Sequence, residues 1–207
     1  MVVTMDAIPE SGDEELLVRM RGGDEAAFVA LYRRRKTGIY RFVYHMTGSA
    51  STAEDVTQDV FLALIRKNCA FDPERGALSG YLFGIARKLV LRHLDKSRPL
   101  TELDADHPST HRKETVLSGD LAADLAHRED IAQLHRAILS LPKRYREVVV
   151  LCDLEELDYV AAAAALDCPI GTIRSRLHRA RALLLEKLSQ SREAGPARAL
   201  KPVRSLI

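Results

Sequence analysis

The chain has 207 residues, 46% hydrophobic and 29% charged, and its 31 Lys and Arg against 29 Asp and Glu leave a formal charge of +2. That length and apolar fraction suffice for one or two small globular domains, and the near-neutral balance excludes a global polyanion-binding field, so any nucleic-acid surface must come from local segregation of charge. Three widely spaced cysteines, Cys69, Cys152 and Cys168, argue against a disulfide framework or a zinc site, and 5% aromatic residues with no tryptophan argue for an all-α protein.

In chain order, Asp13 to Met20 predicts a short helix ended by Gly22 and Gly23. Asp24 caps a long second helix in which Ala27, Phe28, Leu31, Tyr32, Ile39, Phe42 and Val43 recur at helical spacing up to Gly48. Ser51 opens a third helix, with Glu54 completing a capping box, and its apolar stripe Val56, Val60, Ala63 and Leu64 runs to about Asn68. A break at Phe71–Gly76 precedes a fourth helix from about Ser79 to Lys96, with Leu82, Ile85, Ala86, Leu89 and His93 expected on its inner face.

From Arg98 to about Ala126 the periodicity fades among Pro99, Pro108, Ser118 and Gly119, which reads as a flexible linker with a little local helix at its end. The expected organisation is two small helical domains, residues 13–97 and 128–188, joined by the linker 98–127 and followed by a mobile tail, 189–207. The second domain begins with a helix to about Leu141, and Pro142 starts another through about Asp153.

The remaining pair spells a helix-turn-helix. Asp158 caps a short helix through Ala165, and Leu166, Asp167 and Cys168 break the chain before Pro169 starts the next. At about 100° per residue, Ile170, Ile173, Leu177, Ala180 and Leu184 share one stripe, with Arg174, Ser175, His178 and Arg179 opposite. Its N-terminal residues suit base edges in a major groove, while Arg176, Arg181 and the helix N-terminus face phosphates. The alternative is a solvated basic helix packed on its neighbour.

On the third helix, Asp55, Asp59 and Leu62 fall on one face away from Val56 and Val60, with Gln58 alongside, which suits docking on a basic partner helix or, alternatively, an ordinary solvated face. His45, His107, His111, His127 and His135 have no ligand spacing, so neither metal nor cofactor is assigned. No nucleophile, base and orienting group cluster in sequence, and no Gly-rich phosphate loop is present, so an enzyme ranks last. The long apolar run of a membrane span and a signal core at Met1–Glu10 are both missing, and a cytoplasmic location is expected.

Four stretches together, TAEDVTQDVF (Thr52–Phe61), GYLFGIARK (Gly80–Lys88), LPKRYREVV (Leu141–Val149) and PIGTIRSRLHRAR (Pro169–Arg181), resemble the sigma-70 family of bacterial sigma factors, specifically the extracytoplasmic-function (ECF) group. The likeness covers almost all of residues 13–188 in order and spacing. It implies a protein without catalytic residues that binds core RNA polymerase, directs it to promoter DNA and helps open the duplex, with an anti-sigma factor as a family expectation. By resemblance, Asp55, Gln58, Asp59 and Leu62 meet the coiled coil of the largest polymerase subunit. Thr172, Arg174, Ser175, Arg176, His178 and Arg179 meet the upstream (−35) element.

The loop Cys69–Ser79 and the fourth helix correspond to the part of the family that reads and melts the downstream (−10) element. Unstacked bases are captured in pockets and on aromatics, with phosphates held by Lys and Arg, which nominates Asn68, Phe71, Tyr81, Arg87, Lys88, Arg92 and Lys96. Tyr81 serves equally as a core aromatic. Tyr81 stands where the family usually carries tryptophan, Gly84 where it often carries arginine, and Lys88 and Arg92 where Asn and Asp are frequent, which implies a different promoter preference. The first helix of the helix-turn-helix is Val160 followed by five alanines, Ala161 to Ala165, in place of larger residues, so a small packing area is expected. Asp167 replaces the usual turn glycine and is expected to be left-handed. Glu102, Asp104 and Asp106 in the linker either imitate nucleic-acid charge or simply solvate it. Two other functions fit the elements: a helix-turn-helix regulator that binds operators without polymerase, and a module that binds only protein.

Overall fold

The computed structural model describes residues 11–66, 71–96 and 121–194, and all regular structure among them is helical. Asn68 and most of the linker lie outside the described residues, as do the tail from 195 onward and the side chain of Lys96.

Three helices and part of a fourth are set by local chemistry. Helix α1 (Asp13–Arg21) closes at Gly22, and Asp24 starts α2 (Glu25–Thr47) by accepting the Ala27 amide at 3.1 Å. The left-handed Gly48 ends α2 at φ 72°. Helix α3 (Ala50–Ile65) is capped by Ser49 rather than by Ser51, because the Ser49 hydroxyl accepts the Thr52 amide at 3.2 Å and Ser51 is already inside the first turn. After a 3₁₀ turn at Pro73–Arg75, α4 (Leu78–Lys96) buries Leu82, Phe83, Ala86 and Val90. Ile85, Leu89 and Leu94 pack half-buried against the core, whereas His93, expected inside, is exposed.

Helix α5 (Leu121–Leu139) begins within the expected linker. Helix α6 (Lys143–Val149) does not run on as α-helix to Asp153 but widens into a π turn, Val150–Leu154, before the chain reverses. Asp158 caps α7 (Tyr159–Leu166), accepting the Ala161 amide at 2.7 Å, and α7 ends with Asp167 at φ 51°, the left-handed residue expected there. The amides of Asp167 and Cys168 return to the Ala164 and Ala163 carbonyls, which satisfies the end of the helix. Helix α8 (Ile170–Ala194) follows without further break.

The two halves share one core. Helix α7 packs on α8 and also on α4, so the alanines do not form the thin core expected of them: Ala161, Ala162, Ala163 and Ala165 are buried between the two neighbours. Their small size lets the backbones meet. A Cβ added at Gly80 would stand 2.9 Å from the Ala161 carbonyl oxygen, and one at Gly84 would touch Ala165. Further along, Arg146 donates to the carbonyls of Met46, at 2.7 Å, and of Leu139 and Leu141, so one guanidinium closes the ends of α2 and α5 together. Arg41 makes a two-pronged pair with Glu155 at 2.9 Å, and Gly38 leaves the space that this carboxylate fills.

Candidate nucleic-acid and polymerase interfaces

Helix α8 is held by Ile173, Leu177 and Ala180, all at most 2% exposed, with Leu184 half-buried. Ile170, expected on this stripe, is 37% exposed, because it opens the helix beyond the reach of the core. Arg174, Ser175, His178 and Arg179 are exposed together on the far side, with Thr172 and Arg176 half-buried at its margins. The geometry leaves a cationic strip on a rigid helix whose first turn is open, which suits a major groove lined by phosphates.

Neighbouring helices orient several of these arginines. Arg174 lies over the Tyr159 ring at 5.9 Å, and Arg144 over the Tyr145 ring at 4.8 Å. A hydrogen bond from Arg179 holds the Tyr145 phenol below the ordinary tyrosine range. Arg181, expected on a phosphate, is instead claimed by Asp153 of the π turn, at 2.6 and 3.1 Å. Nothing in the sequence marks this pair, since 28 residues separate its members. Cys152 beside it has its thiol pushed up to about 11, chiefly by burial and then by Asp153, which suppresses the thiolate.

The second cationic surface lies at the start of α4. Phe71 and Tyr81 pack with ring centroids 5.5 Å apart, and both line a cleft of about 440 Å³ together with Arg87 and Lys88. Its opposite wall is Ala164, Ala165 and Asp167 of the helix-turn-helix. Tyr81 is half-buried against the core, and its ring also lines the cleft. Lys88 and Arg92 are exposed. Arg87 is not free: its Nε donates at 2.8 Å to Glu147 of α6, a carboxylate whose side chain is 4% exposed. Glu147 carries no sequence signal for this role.

On α3, Asp55, Gln58, Asp59 and Leu62 are exposed, and Ile65 one turn on is 52% exposed. The opposite face buries Val56, Val60 and Leu64 against α2 and α4. Carboxylates flanking uncovered Leu and Ile make a face suited to a basic partner with an apolar seam. Among the described residues no group of three or more His, Cys, Asp or Glu could hold a metal ion, and no helix is long and apolar enough to cross a membrane.

Helices throughout the described residues, with a helix-turn-helix whose basic strip is exposed, define a helical DNA-binding protein. Residues 31–99 match the description "Sigma-70 region 2" and residues 131–184 match "Sigma-70, region 4". The ECF RNA polymerase sigma factor SigW of Bacillus subtilis is 31% identical over 82% of this chain and 93% of its own length. Among solved structures, RpoE of Bartonella quintana, in complex with the anti-sigma factor NepR, is 26% identical with a TM-score of 0.57, over 76% of this chain and 94% of that one. CnrH, in complex with the cytosolic domain of CnrY, shares the fold at 24% identity and a TM-score of 0.64, over 89% of this chain and 99% of that one. The chain belongs to the sigma-70 family of RNA polymerase sigma factors, in its ECF group.

Proposed function

We propose that residues 13–97 dock on core polymerase and open the downstream element, that residues 128–188 read the upstream element, and that 98–127 connect them inside the cytoplasmic enzyme. The observation that carries this reading is the pairing of an uncovered acidic face on α3 with an exposed basic strip on α8, on opposite parts of one chain. Asp55, Gln58, Asp59 and Leu62 meet polymerase. Thr172, Arg174, Ser175, Arg176, His178 and Arg179 meet the −35 element. Phe71, Tyr81, Arg87, Lys88 and Arg92 serve the −10 element, with Asn68 and Lys96 assigned on sequence pattern alone. Since RpoE was solved with an anti-sigma factor, one is proposed here too.

The test is co-purification with core polymerase and run-off transcription from a cognate promoter, with and without Asp55→Ala combined with Asp59→Ala. The double variant should lose polymerase binding while the second half keeps its affinity for duplex DNA. Equal loss of both would make the acidic pair structural. Failure of the unaltered chain in both assays, where another sigma factor succeeds, would refute the reading.

A further inference from the structure

Two arginines of the exposed strip are each met by a tyrosine from a neighbouring helix, and the two meetings differ. Arg174 lies over the Tyr159 ring at 5.9 Å, near the limit of a cation–π contact, and Tyr159 is itself 38% exposed. Tyr145 is anchored, with its ring built into the core at 8% exposure. Two guanidinium groups come to this fixed ring from different helices: Arg144 of α6 stands over its face at 4.8 Å, and Arg179 of α8 donates to its hydroxyl. Both arginines are exposed. The phenol registers both, since the Arg179 hydrogen bond, and after it the charges of Arg144 and Arg179, outweigh burial and hold it below the ordinary range. Among the described residues no carboxylate pairs with either arginine. Glu147, one turn on from Arg144, is committed to Arg87, and α8 carries no Asp or Glu from Ile170 to Leu185.

We propose that Tyr145 is a positioning residue for upstream-element recognition: its hydroxyl fixes Arg179 for a base edge, and its ring face holds Arg144 for a phosphate of the same duplex. Arg144 thereby adds a backbone contact from outside the helix-turn-helix. The inference rests on assigning α8 to the upstream element. Like charges gathered on one neutral ring repel, and an anion beside them turns that repulsion into attraction, which is what a phosphodiester supplies. A guanidinium has five donors, so a hydrogen bond to the phenol leaves Arg179 enough for a bidentate contact while removing much of the rotamer freedom that a long side chain loses on binding. Phosphate contacts set register and base contacts set sequence, so one buried ring couples where α8 sits to what it reads. Arg181, neutralised by Asp153, has no such part.

The experiment uses the full chain. A randomised duplex DNA library, retained by the protein and sequenced, gives its base preference, and salt titrations by fluorescence anisotropy on two retained duplexes report the phosphates it meets. Tyr145→Phe keeps the ring and both charges and removes only the hydroxyl. It should flatten the preference at the same base position that Arg179→Ala flattens, with the salt slope kept. Arg144→Gln should leave the preference as it was, weaken binding to both duplexes alike and lower the log–log salt slope by about 0.9. Circular dichroism melts confirm that each variant is folded. A Tyr145→Phe chain with unchanged preference would overturn the positioning role, and so would one that binds every sequence equally less well, which is how a merely structural tyrosine acts. An unchanged slope in Arg144→Gln would overturn the phosphate contact. An unaltered chain that selects no sequence would overturn both, while run-off transcription by it would leave the sigma-factor reading standing.

Discussion

At the level of single residues, the recognition strip of α8 divides by what each arginine touches. Arg174 and Arg179 lie beside aromatic groups, Tyr159 and Tyr145, which restrict the side chains without neutralising them. Arg181 is neutralised by Asp153. A helical wheel sends Arg181 to a phosphate, because it records direction and not distant partners such as Asp153. Removing Arg174 or Arg179 should therefore change which bases are preferred, at about 1–3 kcal/mol per lost bidentate contact. Asp153→Ala should instead free one more cation for the backbone, strengthening binding to every sequence and steepening the salt dependence by about 0.9 in log–log slope. Salt titrations on two unrelated duplexes separate the cases. A change in preference with Asp153→Ala, or none with the arginine variants, would place the reading face elsewhere.

At the level of helices, what was legible was what is decided within a few residues. Asp24 and Asp158 announce their helices because a cap needs only a carboxylate and an amide three positions on, and Asp167 announces its turn because few residue types accept a left-handed backbone. The sequence points to Ser51 where Ser49 is the cap, since two serines in reach of the same turn look alike until one is extended and the other helical. The π turn after Val149 left no trace in the periodicity, and the destination of the alanine face was invisible because its partner, α4, lies some 80 residues earlier. For α7 the caps matter more than usual, since an eight-residue helix has little else to nucleate it. Asp158→Ala should cost about 1 kcal/mol of stability in urea unfolding. It should also lower upstream-element binding, because α7 sets the angle of α8. Full stability after the exchange would mean that packing between α4 and α8 alone holds α7.

At the level of the whole molecule, the junction between the halves contains a titratable group that neither the fold nor the proposed DNA contacts require to be charged. His45 on α2 is largely buried, its Nδ1 without a hydrogen-bond partner, edge-on to His135 of α5 at 5.0 Å, while Tyr44 stacks on His135 at 4.5 Å. Burial first, then the charges of His135 and Arg41, lower its pKa from 6.5 to about 4. A group depressed on folding contributes stability that is complete above its unfolded pKa and is lost as pH falls toward the folded one. The folded chain should therefore weaken as pH drops through the interval from 6.5 to about 4, by at most about 1.4 kcal/mol per unit, less for solvent that reaches the ring. Glu155 opposes this lower down: burial raises its pKa despite Arg41, so protonation relieves a buried charge as its carboxyl range is approached. The net slope should be steepest midway between 6.5 and about 4 and flatten toward the acid end, where Glu155 opposes it. Thermal melts from pH 7.5 to 4.5 should follow that curve, and His45→Phe, which fills the site with an uncharged ring, should remove the upper part of the slope. If the slope survives the exchange, the acid sensitivity lies elsewhere than at this junction.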